Sequence, residues 1–225
     1  MHIEPGLVTG AKLLIGYTTA AAALTQTARL ALGETGRRGA LSLVARSAIT
    51  TALVLGFFQL LPHHPVGVSE VHLILGSTLF LLFGAAPAAI GLALGLLIQG
   101  LAFAPFDLPQ YGMNVSTLLF PLFAVGAVAR RIIAPQTPYV DLRYGHALKL
   151  SLAYQGGVVG WVAFWALLGG GASAANLAAI LSFGGAYMLV VLIEPLADLA
   201  LLAAAKSGRR LQGSALLGDR LHRAA

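Results

Sequence analysis

The sequence predicts an all-α integral membrane protein with about seven transmembrane helices, its amino terminus outside the cell and its carboxyl terminus in the cytoplasm. The composition is 58% hydrophobic and only 10% charged over 225 residues, whereas soluble domains carry about 25% charged residues. Apolar segments approach the roughly 20 residues that a spanning helix needs. Basic residues also concentrate in alternate loops, which is typical of cytoplasmic loops in membrane proteins.

Seven apolar segments are predicted to span the membrane. The third is short, so we expect it to begin inside the membrane or to join the fourth through a tight turn at Gly84–Pro87. The 27 glycines fit closely packed spanning helices. In chain order the predicted spans are Leu7–Leu32, Leu41–Leu61, Val71–Phe83, Ala86–Phe103, Val115–Ile133, Ala147–Leu168 and Ala175–Ala205.

The basic residues determine the predicted orientation. With seven spans, every lysine and arginine except Lys12 falls on one side, which the positive-inside rule makes cytoplasmic. The net charge of +6 is therefore interpreted as a topology signal and not as nucleic-acid binding. We expect one transmembrane domain over residues 1–206 and a short, basic, loosely held cytoplasmic tail over 207–225. The predicted location is a cell membrane that the chain crosses several times.

The predicted outer side is rich in histidine and acid, which attracts cations. The chain has no cysteine, so disulfides and thiolate metal sites are excluded. The outer polar residues are Met1, His2, Glu4, His63, His64, Glu70, His72 and Asp107.

The chain opens MHIEPG and shows no secretory signal, so we expect Met1 to keep a free amine. A peptide that begins X-His can chelate a metal through the terminal amine, the amide of residue 2 and its imidazole. A fourth nitrogen, which His72 could supply, completes a square that suits Ni(II) or Cu(II) and that low-spin Co(II) can also accept. From these residues alone, a solvated His2 and a His72 satisfied at a helix end are favoured over the metal site.

Longer motifs make the chain similar to the CbiM/NikM family, the substrate-binding membrane subunits of energy-coupling-factor transporters for cobalt and nickel. MHIEPG stands at the start, and PVGVSEVHLIL begins at Pro65. Gln99 then lies in LGLLIQGLAF, and Gly112 and Asn114 lie in YGMNVSTLLF. The similarity covers most of residues 1–135. The chain departs from the family at the paired histidines His63 and His64 and at the middle loop PFDLPQYG.

The resemblance implies that Met1, His2 and His72 hold a transported Ni²⁺ or Co²⁺ ion, without a cofactor and without catalytic residues. It also implies a transmembrane coupling subunit of the CbiQ/NikQ type and cytoplasmic ATPases of the CbiO/NikO type. A small accessory membrane subunit can also be required, and the location that the resemblance implies is the inner or plasma membrane of a bacterium or archaeon. The small-residue run Thr18–Ala23 would face the coupling subunit. No G-x-x-x-x-G-K-[ST] motif is present here, which fits ATP hydrolysis by partner subunits.

Other polar residues have two readings each. Asn114 either hydrogen-bonds the terminal loop or His72, or caps the fifth span, while Ser69, Glu70 and Gln99 could steady the loop over the site. His63 and His64 either collect incoming metal or are merely solvated. For Glu194 and Asp198, a helix-end salt bridge near Lys206 and Arg209, or a partner contact, is favoured over a second metal site.

Two other function classes are carried as alternatives. An intramembrane protease or prenyl-chain hydrolase would need H-E-x-x-H, G-x-S-x-G or paired glutamates on facing spans, and none is present. In a purely structural membrane protein the clustered histidines would be accidental.

Overall fold

The computed structural model describes residues 3–208 and 214–223, and this part of the chain is a helical bundle with one small hairpin. Its helices are α1 Leu13–Arg38, α2 Ala40–Leu60, α3 Gly76–Phe83, α4 Ala85–Ala102, α5 Tyr111–Ile132, α6 Tyr144–Gly170, α7 Ala174–Met188, α8 Glu194–Ser207 and α9 Asp219–His222. The hairpin strands are β1 His64–Val66 and β2 Ser69–Val71, and short 3-10 turns cover Gly10–Lys12, Pro105–Gln110, Tyr139–Asp141 and Leu189–Leu192.

Five helical stretches of the described chain are long and apolar enough to cross a membrane by length and composition. They are Ala40–Leu60, Ala85–Ala102, Pro105–Ile132, Tyr144–Gly170 and Ala174–Ser207. The predicted second and fourth spans are confirmed to within one residue at each end. The fifth and sixth are confirmed as helices that begin a few residues earlier than predicted.

The first predicted span is displaced along the sequence. Gly6 and Gly10 have positive φ values of 89° and 61°, so the chain before Leu13 forms turns instead of helix. At the other end α1 continues through the predicted loop Gly33–Gly39 and stops only at Gly39, whose φ is 82°. The loop prediction was therefore wrong, because Glu34 and the arginines of that stretch are compatible with helix.

The predicted third and seventh spans are not continuous helices. Val71 belongs to β2 and α3 has only eight residues, although the tight turn into α4 at Gly84 is confirmed. The seventh span is divided into α7 and α8 by a 3-10 turn. Pro195 explains this break, since it lacks an amide hydrogen and its ring clashes with the carbonyl four residues earlier.

The hairpin shows that the all-α prediction was incomplete. Its antiparallel strands pair His64 with Val71 and Val66 with Ser69 around a two-residue turn. Gly67 has a φ of 62° at the first turn position, where type II′ turns prefer glycine, and it also lies directly against the Ala179 carbonyl of α7.

Small residues allow the central helices to approach closely. A Cβ at Gly112 of α5 would lie 2.8 Å from the carbonyl carbon of Gly16 in α1. Gly91 and Gly95 of α4 likewise face Thr50 and Val54 of α2. These contacts bring α1, α2, α4 and α5 together around the main apolar core.

The two ends of the bundle differ in charge. We call one the hairpin end, because the hairpin meets Glu4 and the Pro105–Gln110 turn there. We call the other the basic end, because Arg37, Arg46, Arg130 and Arg220 meet there around one cleft. The basic regions that were predicted to share one side of the membrane therefore share one end of the molecule.

The tail over Ser214–Arg223 packs against the basic end, so the prediction of a loosely held tail was wrong for these residues. Arg38 donates hydrogen bonds to the Leu217 and Ser214 carbonyls, at 2.5 and 3.2 Å, and pairs with Asp219 at 3.2 Å. Leu221 is fully buried in the core. The tail residues 209–213, which include Arg209, lie outside the described residues.

Candidate metal-binding site

His72 follows β2 directly, and its imidazole is buried with 1% exposure. Its Nε2 lies 2.9 Å from Glu70 Oε2. The ring stacks on His63, with centroids 4.9 Å apart and planes 7° apart, and meets the edge of Phe58 at 5.5 Å. Three neighbours therefore fix the orientation of this ring.

The described amino-terminal segment lies beside this histidine. Ile3 forms an antiparallel bridge with Ser69, and the Glu4 amide donates a hydrogen bond to the Val68 carbonyl at 3.2 Å. The Ile3 amide donates to Asn114 Oδ1 at 3.1 Å, and the Ile3 side chain is fully buried. The segment thus pairs with the other edge of β2, and the bridging residue Ser69 lies three positions before His72.

The predicted ligands Met1 and His2 lie outside the described residues. Their point of attachment, Ile3, is fixed by the bridge and by the bond to Asn114. Within residues 3–208 and 214–223, no group of three histidine, aspartate or glutamate side chains is arranged to hold a metal ion.

The predicted supporting residues are placed as follows. Asn114 lies inside α5, whose N-cap is Gln110, so the capping interpretation of Asn114 was wrong and its hydrogen bond goes to the terminal segment. Gln99 is buried on α4 with 5% exposure, and its Oε1 has no hydrogen-bond partner among the described residues. His64 is exposed on β1, whereas the exposed His63 is held by its stacking on His72.

A cleft of about 320 Å³ opens beside the hairpin. Its lining includes Glu4 from the terminal segment, Glu70 from β2 and Asp107 from the Pro105–Gln110 turn. Three carboxylates around one cleft attract cations. Sequence reasoning placed these acids on one side of the membrane, but it offered no signal that a single cleft would join them.

The connection from His72 to α3 is strained at one residue. Leu75 has φ 55° and ψ 42°, a left-handed conformation that non-glycine residues rarely adopt. Such residues cost about 1–3 kcal/mol and are found preferentially at functional sites. Only Leu73 and Ile74 separate Leu75 from the buried histidine.

Residues 2–210 match the CbiM family, described as "Cobalt uptake substrate-specific transmembrane region". The chain belongs to the CbiM family. As a member of this family it is a multi-pass membrane protein and a membrane component of metal uptake.

Solved structures share the fold of this CbiM protein. A structure titled as a truncated transition metal transporter is 18% identical, with a TM-score of 0.67 over 92% of this chain and 99% of that chain. A second, titled as a transition metal transporter, is 20% identical, with a TM-score of 0.67 over 95% of this chain and 100% of that chain. Among the curated proteins no match was found.

The helix-end salt bridge predicted for Glu194 and Asp198 of this CbiM protein was wrong, whereas the alternative of a partner contact stays a prediction. Glu194 and Asp198 form no helix-end salt bridge in the described chain, because Lys206 pairs with Asp141 at 2.5 Å instead. Both carboxylates are fully buried and accept hydrogen bonds from side chains of α3 and α6. They lie away from the hairpin and are not part of the candidate metal site.

Proposed function

We propose that this chain is the substrate-capture subunit of an energy-coupling-factor importer for divalent cobalt or nickel. It binds the metal at the outer face through the Met1 amine, the His2 amide and imidazole, and the His72 imidazole. The observation that carries the proposal is that Ile3 is bridged to β2 only three residues from the buried His72.

Covalent reach supports this ligand set. Two residues of extended chain span at most about 7 Å, so the first two residues of the chain stay close to Ile3. The bridge and the Asn114 bond hold Ile3 at the hairpin, beside the acidic cleft that attracts cations. A terminal chelate formed by an X-His start would therefore form near His72.

The environment of His72 also fits metal binding. Histidines that bind metals commonly donate their other ring hydrogen to a carboxylate, which fixes the ring and raises its basicity. Here Glu70 is the carboxylate at Nε2, so Nδ1 is the nitrogen that we assign to the metal. Nitrogen ligands in a planar arrangement favour nickel and related ions over magnesium or calcium.

The chain needs partners for transport in this proposal. The description of its family concerns only the substrate-specific transmembrane region. We therefore assign coupling to a separate transmembrane subunit and ATP hydrolysis to cytoplasmic ATPase subunits, with a small accessory membrane subunit as a further component. No catalytic residue and no resident cofactor is assigned to this chain.

The test is a metal-content measurement on the purified protein with its amino terminus confirmed by intact mass. We expect one nickel or cobalt ion per chain. Addition of three alanines before Met1 should abolish binding, because the terminal amine is then displaced from the chelate; a single added residue would instead create an X-X-His terminus that can itself bind nickel in a square of nitrogens. The matched control is three alanines added after Ala225, which should leave binding unchanged. Undiminished binding in the amino-terminal extension would contradict the proposed ligand set.

A further inference from the structure

A buried polar cluster lies between α3, α6 and α8, away from the hairpin. Its centre is the pair Glu194 and Asp198, one helical turn apart on α8 and both with 0% exposure. Neither carboxylate takes part in an ion pair in the part of the chain that the structure describes.

The surroundings of Asp198 suit a carboxylate. Ser77 Oγ donates a hydrogen bond to Asp198 Oδ2 at 3.0 Å, and Thr78 Oγ1 donates to Oδ1. Ser77 and Thr78 belong to the first turn of α3, where the helix dipole favours negative charge. Both oxygens of Asp198 therefore act as acceptors, and its charge is stabilised.

Glu194 has a different pattern of partners. Its Oε2 accepts hydrogen bonds from Ser151 Oγ at 2.5 Å and from Gln155 Nε2 at 2.7 Å. Its Oε1 is buried and makes no hydrogen bond of normal geometry among the described residues, while the Ser77 hydroxyl and amide on α3 also interact with this carboxylate. The amide oxygen of Gln155, on the side chain that already contacts Glu194, is also buried without a partner there.

Two tyrosine hydroxyls complete this side of the cluster. Tyr154 and Tyr187 are fully buried, interact electrostatically with Glu194, and have hydroxyls without hydrogen-bond partners in the described chain. Gly76 makes room for the Tyr154 ring, which lies directly against it. Each unpartnered buried oxygen carries a desolvation cost, and no positively charged side chain of residues 3–208 or 214–223 pairs with the cluster to offset it.

We propose that the pair binds one proton, held by Glu194 Oε1, while Asp198 remains a carboxylate. Two adjacent buried negative charges without a cation would be strongly unfavourable, and one proton removes both the second charge and the mutual repulsion. The protonated oxygen becomes a donor for the unpartnered oxygen of Gln155 or of a tyrosine hydroxyl. The close hydrogen-bonded packing around the pair suits a proton better than a metal ion.

Among the described residues of the elements packed against the pair, no other group neutralises it. From α6 and α7 the titratable groups that face it are Tyr154 and Tyr187, and α3 supplies the Ser77 and Thr78 hydroxyls and the Ser77 amide. The Leu189–Leu192 turn has no titratable side chain. In the Tyr139–Asp141 turn, Asp141 is paired with Lys206.

The proton stabilises the attachment of α3 to α8. The folded chain keeps a proton that the unfolded chain releases near neutral pH, so stability should fall as pH rises. Release of the proton would place a second negative charge beside Asp198 and weaken the packing of α8 on α3. Loss of the proton from Glu194 would therefore affect α3, which begins only four residues after His72.

Infrared difference spectroscopy on the full-length protein in lipid nanodiscs tests this proposal. At about pH 7, where exposed carboxyls are ionised, the wild-type protein should show the C=O band of one protonated carboxyl that shifts on transfer to D₂O. Glu194→Gln should lose this band, and Asp141→Asn should keep it. The melting temperature of the wild type should fall between about pH 6 and about pH 9, and Glu194→Gln should remove most of that fall.

Three results would overturn the proposal. Absence of the band in the wild-type protein would do so without any variant. Persistence of the band in Glu194→Gln would place the proton elsewhere. A wild-type protein without the band, but with a melting temperature raised by NaCl relative to choline chloride, would identify the cluster as an alkali-cation site instead.

Discussion

At the scale of single residues, several buried side chains make polar contacts with groups that are distant in the sequence. Asn114 holds the Ile3 amide from 111 positions away, and Arg46 bonds the Phe83 carbonyl at 2.8 Å and Glu34 at 2.6 Å. A hydrogen bond to the terminal segment was one of the predicted roles of Asn114, whereas no partner was predicted for Arg46. The partner depends on the packing of the bundle, which sequence spacing does not contain.

The first prediction concerns His72. The His72→Ala variant should bind nickel or cobalt at least about 10-fold more weakly, or roughly 1.4 kcal/mol, because one of four proposed ligands is lost. Isothermal titration of the metal-free protein measures this change. His64→Ala is the matched control, since His64 is exposed on β1 and should leave affinity unchanged. Wild-type affinity in His72→Ala would show that the fourth ligand is another residue. His63 would be the next candidate, because it stacks on His72.

The second prediction concerns Glu34, which follows the predicted first span. Burial raises the pKa of its carboxyl, but the ion pairs with Arg46 and Arg37 outweigh that effect and hold the pKa below its usual value. A carboxyl with a lowered pKa in the folded protein stabilises it fully above the pKa of the unfolded chain. This stabilisation is lost as pH falls through the lower, folded pKa.

Thermal unfolding in acid tests the role of Glu34. Between about pH 6 and about pH 4 the wild-type melting temperature should fall more steeply than that of Glu34→Gln, which has no carboxyl to protonate. At neutral pH the variant should be the less stable protein, because Arg46 is 1% exposed and would lose its ionic partner. Equal acid slopes for the two proteins would show that the ion pair does not contribute.

At the scale of elements, the sequence predicted helices where apolar runs end at clear boundaries. Residues 40–60 and 85–102 match because Gly39 and Gly84 end the preceding helices with positive φ. The errors occur where a proline or strand pairing interrupted an apolar run that was predicted to be one helix. Pro195 divided the seventh span, and the VHL stretch became a strand and an irregular turn because β2 pairs with both β1 and the terminal segment.

The third prediction concerns the crossing of α1 and α5. A Cβ at Gly112 would lie 2.8–2.9 Å from backbone atoms of Gly16 and Tyr17, so Gly112→Ala should push the two helices apart. Overpacking of this kind costs about 1–3 kcal/mol. The expected result is a lower melting temperature, together with weaker metal binding, because Asn114 lies only two residues further along α5.

Gly156→Ala is the control for this crossing. Gly156 lies in the middle of α6 with open space around it, so alanine should be neutral or stabilising by about 0.4–1 kcal/mol. A Gly112→Ala protein as stable as the wild type would show that the two helices can separate at no cost.

At the scale of the whole molecule, the charge pattern predicted which loops lie at the same end of the bundle, but it did not predict the contacts between them. The basic regions do meet at one end, yet the docking of the tail through Arg38, Arg220 and Leu221 left no pattern in the sequence. The proton site was missed for a related reason. The basic residues that follow Glu194 and Asp198 along the chain predicted a salt bridge, whereas the partners of the two carboxylates include hydroxyls from α3 and α6.

The last prediction concerns orientation in the membrane. If the hairpin end faces outward and the basic end is cytoplasmic, single cysteines at the two ends should differ in their reaction with a membrane-impermeant maleimide. The native chain has no cysteine, so each introduced thiol is the only target. Exposed positions serve at each end: Ala172 before α7, Gln136 after α5, and Ser207 at the end of α8.

In intact cells Ala172→Cys should be labelled, whereas Gln136→Cys and Ser207→Cys should be labelled only after the membrane is permeabilised. Labelling of Ser207→Cys in intact cells would mean that α7 and α8 together do not cross the membrane, and the number of spans would then be even. Labelling of Gln136→Cys in intact cells, with Ala172→Cys protected, would show that the protein has the opposite orientation in the membrane. The inverted arrangement would place His72 on the cytoplasmic side, where a site that captures metal from outside the cell could not function, so this experiment tests the proposed uptake role independently of metal affinity.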